Sequence, residues 1–97
     1  VISTPEGNIY INPTGNPGMA SGGMGDVLTG MVGSFLAQGY SVLNSAILGT
    51  FIHGFAGDIA SKKSGSIGLT ATNVLNSIQK AIKTIPTQEE IYFETIR

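Results

Sequence analysis

Ninety-seven residues with a net charge of −1, 41% hydrophobic and 11% charged, make up one small domain or part of one, and exclude a disordered or solvating chain. The five basic residues, Lys62, Lys63, Lys80, Lys83 and Arg97, all lie after residue 60, which excludes the basic stripe of a nucleic-acid binder. With no cysteine there is no disulfide, thiol nucleophile or thiolate metal site, a composition that suits the cytoplasm.

In chain order, Val1–Thr4 and Ile9–Asn12 are short β-type runs around the turn "PEGN", which predicts a β-hairpin. The chain opens on "VIST" as if a strand were already under way, and reads as a fragment whose apolar faces belong against preceding sequence. Residues 12–18, "NPTGNPG", have loop composition. From Asp26 the apolar positions Val27, Leu28, Met31, Val32, Phe35 and Leu36 mark one face of a helix that starts at or just before Asp26 and ends at Gly39.

A second helix is expected from the cap Ser41 to Lys62 and Lys63; apolar nearly all round, it belongs at the centre. Asn44, Ser45, His53 and Asp58 make it too polar to read as a membrane span. "SGSIGL", residues 64–69, is a loop, and Thr70 or Thr72 caps a third helix with Val74, Leu75, Ile78, Ile82 and Ile85 on one face, closed by Pro86. The remaining "TQEEIYFETIR" fits a short helix or a strand, with Tyr92 and Phe93 to bury.

The chemistry concentrates in "ASGGMGDVLTG", residues 20–30. Gly22, Gly23 and Gly25 let successive N–H groups turn toward one point, and the unpaired amides of a helix start add the positive end of its dipole. This is an anion cradle that needs no lysine or arginine. A carboxylate competes with a bound phosphate for such a field, so Asp26 suits a chemical role, as the base that accepts a proton from a hydroxyl attacking phosphorus. Capping the helix is the other role open to it. The pattern matches neither a P-loop nor a Rossmann glycine motif.

His53 has no second histidine or cysteine with which to bind a metal and reads as a packed core residue. Asp58, and the small residues of "HGFAGD", read as close packing between helices. Asn12 and Asn16 read as turn chemistry beside proline and glycine.

"TGNPGMASGGMGDVLTGMVGSFLAQG" (14–39), "FIHGFAGDIA" (51–60) and "GLTATNVLNSI" (68–78) together resemble the C-terminal part of the ADP- or ATP-dependent NAD(P)H-hydrate dehydratases, a branch of the ribokinase-like superfamily. The resemblance runs from residue 1 to about 85, and "NPGMASGGMGDVLTG" with "LAQG" carries the dehydratase character. It implies an α/β fold in which residues 1–97 are the C-terminal portion of one three-layer α/β/α ribokinase-like domain, here a β-hairpin followed by three helices. It implies repair of hydrated NAD(P)H, with ADP or ATP phosphorylating the hydrate hydroxyl and phosphate then leaving. Carried over by position, Asp26 is the catalytic, substrate-facing aspartate, Gly25 contacts the nucleotide, and the amides of Gly23, Met24 and Gly25 form the anion hole.

Mg²⁺ is expected with the nucleotide, and as partners a second copy of the chain or a complementary N-terminal chain that supplies the rest of the domain. No nucleic-acid or membrane partner is expected. A kinase of the hydroxyethylthiazole or phosphomethylpyrimidine type would use the same residues on another hydroxyl, and a non-catalytic nucleotide-binding piece would leave Asp26 only a cap.

Overall fold

The computed structural model describes residues 1–65 and 67–85 in full, and the backbone of residues 94–96. Strands β1 (Ile2–Ser3) and β2 (Ile9–Ile11) pair antiparallel, with Ile2 opposite Tyr10 and Ser3 opposite Ile9. The turn between them closes with Thr4 N–H donating to Asn8 C=O at 2.9 Å and Gly7 N–H to Thr4 C=O at 3.0 Å. The expected hairpin is present.

Strand β3 (Glu94–Ile96) lies antiparallel on the other side of β2, with Ile9 opposite Ile96, and gives a three-stranded sheet in the order β1-β2-β3. The C-terminal stretch that fits helix or strand by sequence is therefore strand over these three residues. Pro86, Tyr92 and Phe93 lie outside the described residues.

Three helices follow the hairpin: α1 (Met24–Ala37), α2 (Val42–Ser64) and α3 (Ala71–Lys83). Helix α1 ends as its sequence dictates. Gly39 takes φ 95°, Gly39 N–H reaches Leu36 C=O at 3.0 Å and Tyr40 N–H reaches Phe35 C=O at 3.1 Å, the paired bonds of a Schellman ending that only glycine enters without strain. The Tyr40 ring then stands edge-on to Phe35, centroids 5.3 Å apart.

Helix α2 begins on Ser41, whose hydroxyl accepts from Asn44 N–H at 3.1 Å. Helix α3 begins on Thr70 rather than Thr72, in a reciprocal capping box: Thr70 Oγ1 accepts from Asn73 N–H at 3.2 Å, and Asn73 Oδ1 accepts from Thr70 N–H at 3.1 Å. Asparagine stands at the third position, where glutamate or glutamine is commoner, and closes the same two bonds.

The core is built around α2. Phe51, Ile52, Ala56 and Ala60 from α2 meet Met24 and Met31 from α1, Val74 and Ala81 from α3, and Leu69 from the α2–α3 connection. By length and hydropathy alone α2 passes as a membrane span, with a mean hydropathy of 1.2 over its apolar window. Yet 44% of that window is buried inside the fold, as expected of a central helix that is apolar on several faces. Its central position is the one its sequence predicts.

The glycines of α2 explain how close its neighbours come. A Cβ at Gly49 would stand 2.6 Å from Val32 Cγ2 of α1, and Cβ atoms at Gly54 and Gly57 would run into Thr14 and Met19. The first is helix-on-helix contact, as expected of small residues. The other two are contacts with the loop before α1, whose backbone lies directly on α2.

Candidate functional site

Four hydrogen bonds to α2 hold the loop that feeds α1. Asn12 Nδ2 donates to Thr50 C=O at 3.0 Å, and Thr14 Oγ1 donates to Phe51 C=O at 3.0 Å. Asp58 accepts from Gly15 N–H at 3.1 Å and from Asn16 Nδ2 at 2.9 Å. Asn16 also caps a short 3-10 turn, Pro17–Met19, accepting from Gly18 N–H at 3.0 Å. Asparagine and threonine thus do turn chemistry, as expected, while tying the turn to a helix far along the chain. Asp58, expected only to belong to a helix-packing segment, is the charged clamp on this loop, because its carboxylate lies half-buried against two amide donors.

Past the 3-10 turn the chain enters the glycine cluster. Gly23 takes φ 88° as the residue before α1 and contributes no side-chain cap, a left-handed conformation that costs other residues about 1–2 kcal/mol. A Cβ on Gly23 would also lie 3.1 Å from the Cβ of Ala71, at the start of α3. Gly23 is therefore fixed twice, by its conformation and by its neighbour.

The amides here behave as a helix start should. Val27 N–H closes the first helical bond to Gly23 C=O at 3.2 Å, and Met24 N–H reaches Ser21 C=O at 3.4 Å. Among the described residues, the N–H groups of Gly23, Gly25 and Asp26 donate to no backbone or side-chain acceptor. Of the three amides placed in the anion hole by resemblance, two are thus unpaired and the third is weakly engaged. The N–H of Asp26 itself, not singled out from the sequence, joins them.

Asp26 lies in the first turn of α1, exposed, and its carboxylate makes no hydrogen bond or ion pair among the described residues. It stands at the margin of a groove of about 730 Å³, walled by Val27, Met31 and Phe35 of α1 and by Leu75, Ile78 and Ile82 of α3. No other acidic or basic side chain lines that groove. Gly23 and Gly25 line neither this groove nor the second cavity, and Gly22, Gly23 and Gly25 are exposed.

A second cavity, of about 340 Å³, lies behind the loop and is lined by Asn12, Thr14, Asn16, Thr50 and His53 among others. His53 is 8% exposed and its Nε2 has no hydrogen-bond partner. Burial pushes its pKa below the ordinary 6.5, and the Met24 backbone pulls it back in part. Core packing accounts for the burial of His53. It leaves Nε2 buried without a partner.

Residues 1–80 match a family model described as NAD(P)H-hydrate dehydratase. The chain is 44% identical over 85 residues to the bifunctional NAD(P)H-hydrate repair enzyme Nnr of Thermofilum pendens, covering 88% of the chain and 16% of that relative. It is 43% identical over 96 residues to the bifunctional NAD(P)H-hydrate repair enzyme Nnr of Moorella thermoacetica, covering 99% and 17%. It is 41% identical over 75 residues to the ADP-dependent (S)-NAD(P)H-hydrate dehydratase of Neisseria meningitidis, covering 76% and 25%. The chain therefore spans a quarter or less of the length of each of these relatives, and the matched region of the family model contains the glycine cluster, Asp26, His53 and Asp58.

Proposed function

The chain belongs to the NAD(P)H-hydrate dehydratase family, and from that premise we propose that it forms part of an enzyme that uses a nucleotide to repair hydrated NAD(P)H. The observation that carries the reading is the first turn of α1, where unpaired amides and an unengaged carboxylate stand side by side. In this reading residues 1–97 are the C-terminal portion of a single ribokinase-like domain of a cytoplasmic protein, completed by an N-terminal portion or a complementary chain, with association between copies as a further partner.

The reaction follows from the two kinds of group. The hydrate hydroxyl attacks the terminal phosphorus of ADP or ATP, its proton passes to the Asp26 carboxylate, and the nucleotide leaves one phosphate shorter. The C–O bond to the new phosphate then breaks, releasing inorganic phosphate, and the adjacent ring carbon gives up a proton to solvent, which restores the double bond of the dihydronicotinamide ring. While charge builds on the transferring group, the amides of Gly23, Met24 and Gly25 receive it, already oriented by the helix. Two relatives named as ADP-dependent favour ADP as the phosphoryl donor.

Mg²⁺ belongs to this reading as an ion carried on the nucleotide's phosphate oxygens, where it would neutralise charge. No group of three or more His, Cys, Asp or Glu side chains able to cage a metal occurs among the described residues, which suits a cation held by phosphate and water with few protein ligands.

The test is recovery of the dihydronicotinamide absorbance when the intact protein is incubated with hydrated NADH and ADP or ATP. Recovery that requires the nucleotide, and that collapses in Asp26→Asn, is expected. Absence of recovery with wild-type protein and either nucleotide sinks the reading.

A further inference from the structure

A glycine turn without a side-chain cap does not hold its own shape. Gly22 and Gly23 are exposed, and Gly23 starts α1 with no cap hydrogen bond, so the backbone keeps the freedom that glycine allows unless the two ends of the turn are fixed. Both ends are fixed on α2. Downstream, Val32 of α1 lies against Gly49, where a Cβ would come within 2.6 Å of Val32 Cγ2. Upstream, the half-buried carboxylate of Asp58 grips Gly15 and Asn16.

The upstream grip passes to the turn through a short, stiff segment. Asn16 Nδ2 donates to Asp58 Oδ1 at 2.9 Å while Asn16 Oδ1 accepts from Gly18 N–H at 3.0 Å, so one side chain joins the clamp to the 3-10 turn Pro17–Met19. Met19 N–H returns to Asn16 C=O at 3.1 Å and Ala20 N–H to Pro17 C=O at 3.2 Å, and the proline ring fixes its own φ. Met19 then occupies the space that Gly57 leaves open on α2. Beyond it, Ser21 Oγ donates to Leu69 C=O at 3.4 Å, long for a hydroxyl donor, so the charge-assisted bonds to Asp58 are the firmer hold.

We propose that Asp58 is a positioning residue for the anion cradle: by holding Gly15 and Asn16 on α2 it fixes the entry to the glycine turn, and so the direction in which Gly23, Met24 and Gly25 present their N–H groups. The inference rests on the reading of that turn as the nucleotide's anion site. In this role Asp58 acts through the loop and touches no reacting group. An unclamped turn has to be ordered when the phosphoryl group binds, and ordering one residue of backbone costs about a decade in affinity.

A donor–acceptor exchange in the intact protein separates the clamp from the charge. In Asp58→Asn the new side chain has one acceptor where the clamp needs two, so whichever way the two amides turn, a bond to Gly15, a bond to Gly18 or the bond between the side chains fails. Asn16→Asp fails differently, by setting two carboxylates against each other. Together the two substitutions exchange donor for acceptor, allow all three bonds again and keep the net charge. Each single variant is expected to raise the Kd for ADP with Mg²⁺ about 10-fold by calorimetry, and the double variant to return it near the wild-type value. Amide exchange supplies a readout that global stability does not move: Val27 N–H, bonded to Gly23 C=O, should exchange several-fold faster in the single variants relative to Val74 N–H, its counterpart at the start of α3.

Wild-type affinity in both single variants, with Val27 and Val74 exchange changing in step, overturns the proposal, since that is the mark of a clamp that serves stability alone. A double variant that regains the melting temperature without regaining affinity overturns it too, because the carboxylate's place on α2 would then matter more than the bonds it makes. If Asp58→Asn does not fold, Asn16→Ser replaces it: a serine hydroxyl can still accept from Gly18 N–H but leaves Asp58 without its side-chain donor, the same loss of affinity is expected, and wild-type affinity there overturns the proposal. Wild-type protein that binds no ADP sinks the functional reading instead, and the exchange comparison still decides the role of Asp58.

Discussion

The N-termini of α1 and α3 lie against each other, with Gly23 of one beside Ala71 of the other, and they are built in opposite ways. At α3 the cap is made by side chains: Thr70 and Asn73 exchange two hydrogen bonds, and Val74 N–H closes on Thr70 C=O at 3.2 Å. At α1 glycine replaces the cap, amides point outward unpaired, and a carboxylate sits among them without a donor. A capped start spends its donors on stability, while an uncapped start keeps them for a ligand. One of these ends is secured by its own side chains, and the other is, in the function proposed above, the end that receives an anion.

The sharpest way to break that comparison is to show that both ends serve stability alone. Asp26→Asn is expected to cut turnover about 10²- to 10⁴-fold, while chemical denaturation shifts only slightly, because the carboxylate is exposed and bonds to nothing described. Unchanged turnover would reduce Asp26 to a helix-dipole partner.

Gly23→Ala comes next and acts through the backbone. It should destabilise the protein by about 1–2 kcal/mol, the cost of left-handed geometry for a residue with a Cβ, read as a lower denaturant midpoint. It should also weaken nucleotide binding by calorimetry, because the amides it orients move with it. Loss of stability without loss of binding would separate the glycine from the cradle.

Thr70→Ala is the converse experiment. Removing the cap should cost about 1 kcal/mol and leave turnover unchanged, and a fall in kcat at constant stability would deny the division of labour between the two ends.

The smallest effect expected is that of pH. The folded protein holds His53 below its ordinary 6.5, so the unfolded chain binds the extra proton first. Stability from this group is therefore full above about 6.5 and declines as pH falls from there toward the folded value. Denaturation midpoints of wild type and His53→Asn, compared between neutral and mildly acidic pH, should converge on acidification.

Much of the scaffold is legible in the residues themselves. Apolar spacing gave α1 and α3, Ser41 and Gly39 gave the break between α1 and α2, and "PEGN" gave the hairpin, because each is decided within a few residues of chain. What the sequence hides is long-range. That Asp58 clamps Gly15 and Asn16, and that Gly54 and Gly57 admit a loop rather than a helix, both depend on segments about 40 positions apart coming together. Glycine in "HGFAGD" signals close approach but does not name the visitor. At the site, glycines ahead of an apolar run announce unpaired amides, and Asp26 stands out as one of two aspartates. The orphaned Nε2 of His53 has no counterpart in the letters, since it arises from what surrounds the ring.

Strand β3 sets the order in which the molecule assembles. Its partners in β2 lie almost the whole chain away, Ile9 against Ile96, whereas each helix closes on contacts four residues apart. Contacts of such separation come late, because the intervening chain must be ordered before they form. The three helices are thus expected to condense first, with the sheet's last seam zipping shut behind them. A probe on residues 94–96 would then report the slowest step of folding, after the loop and the glycine turn have already found their places.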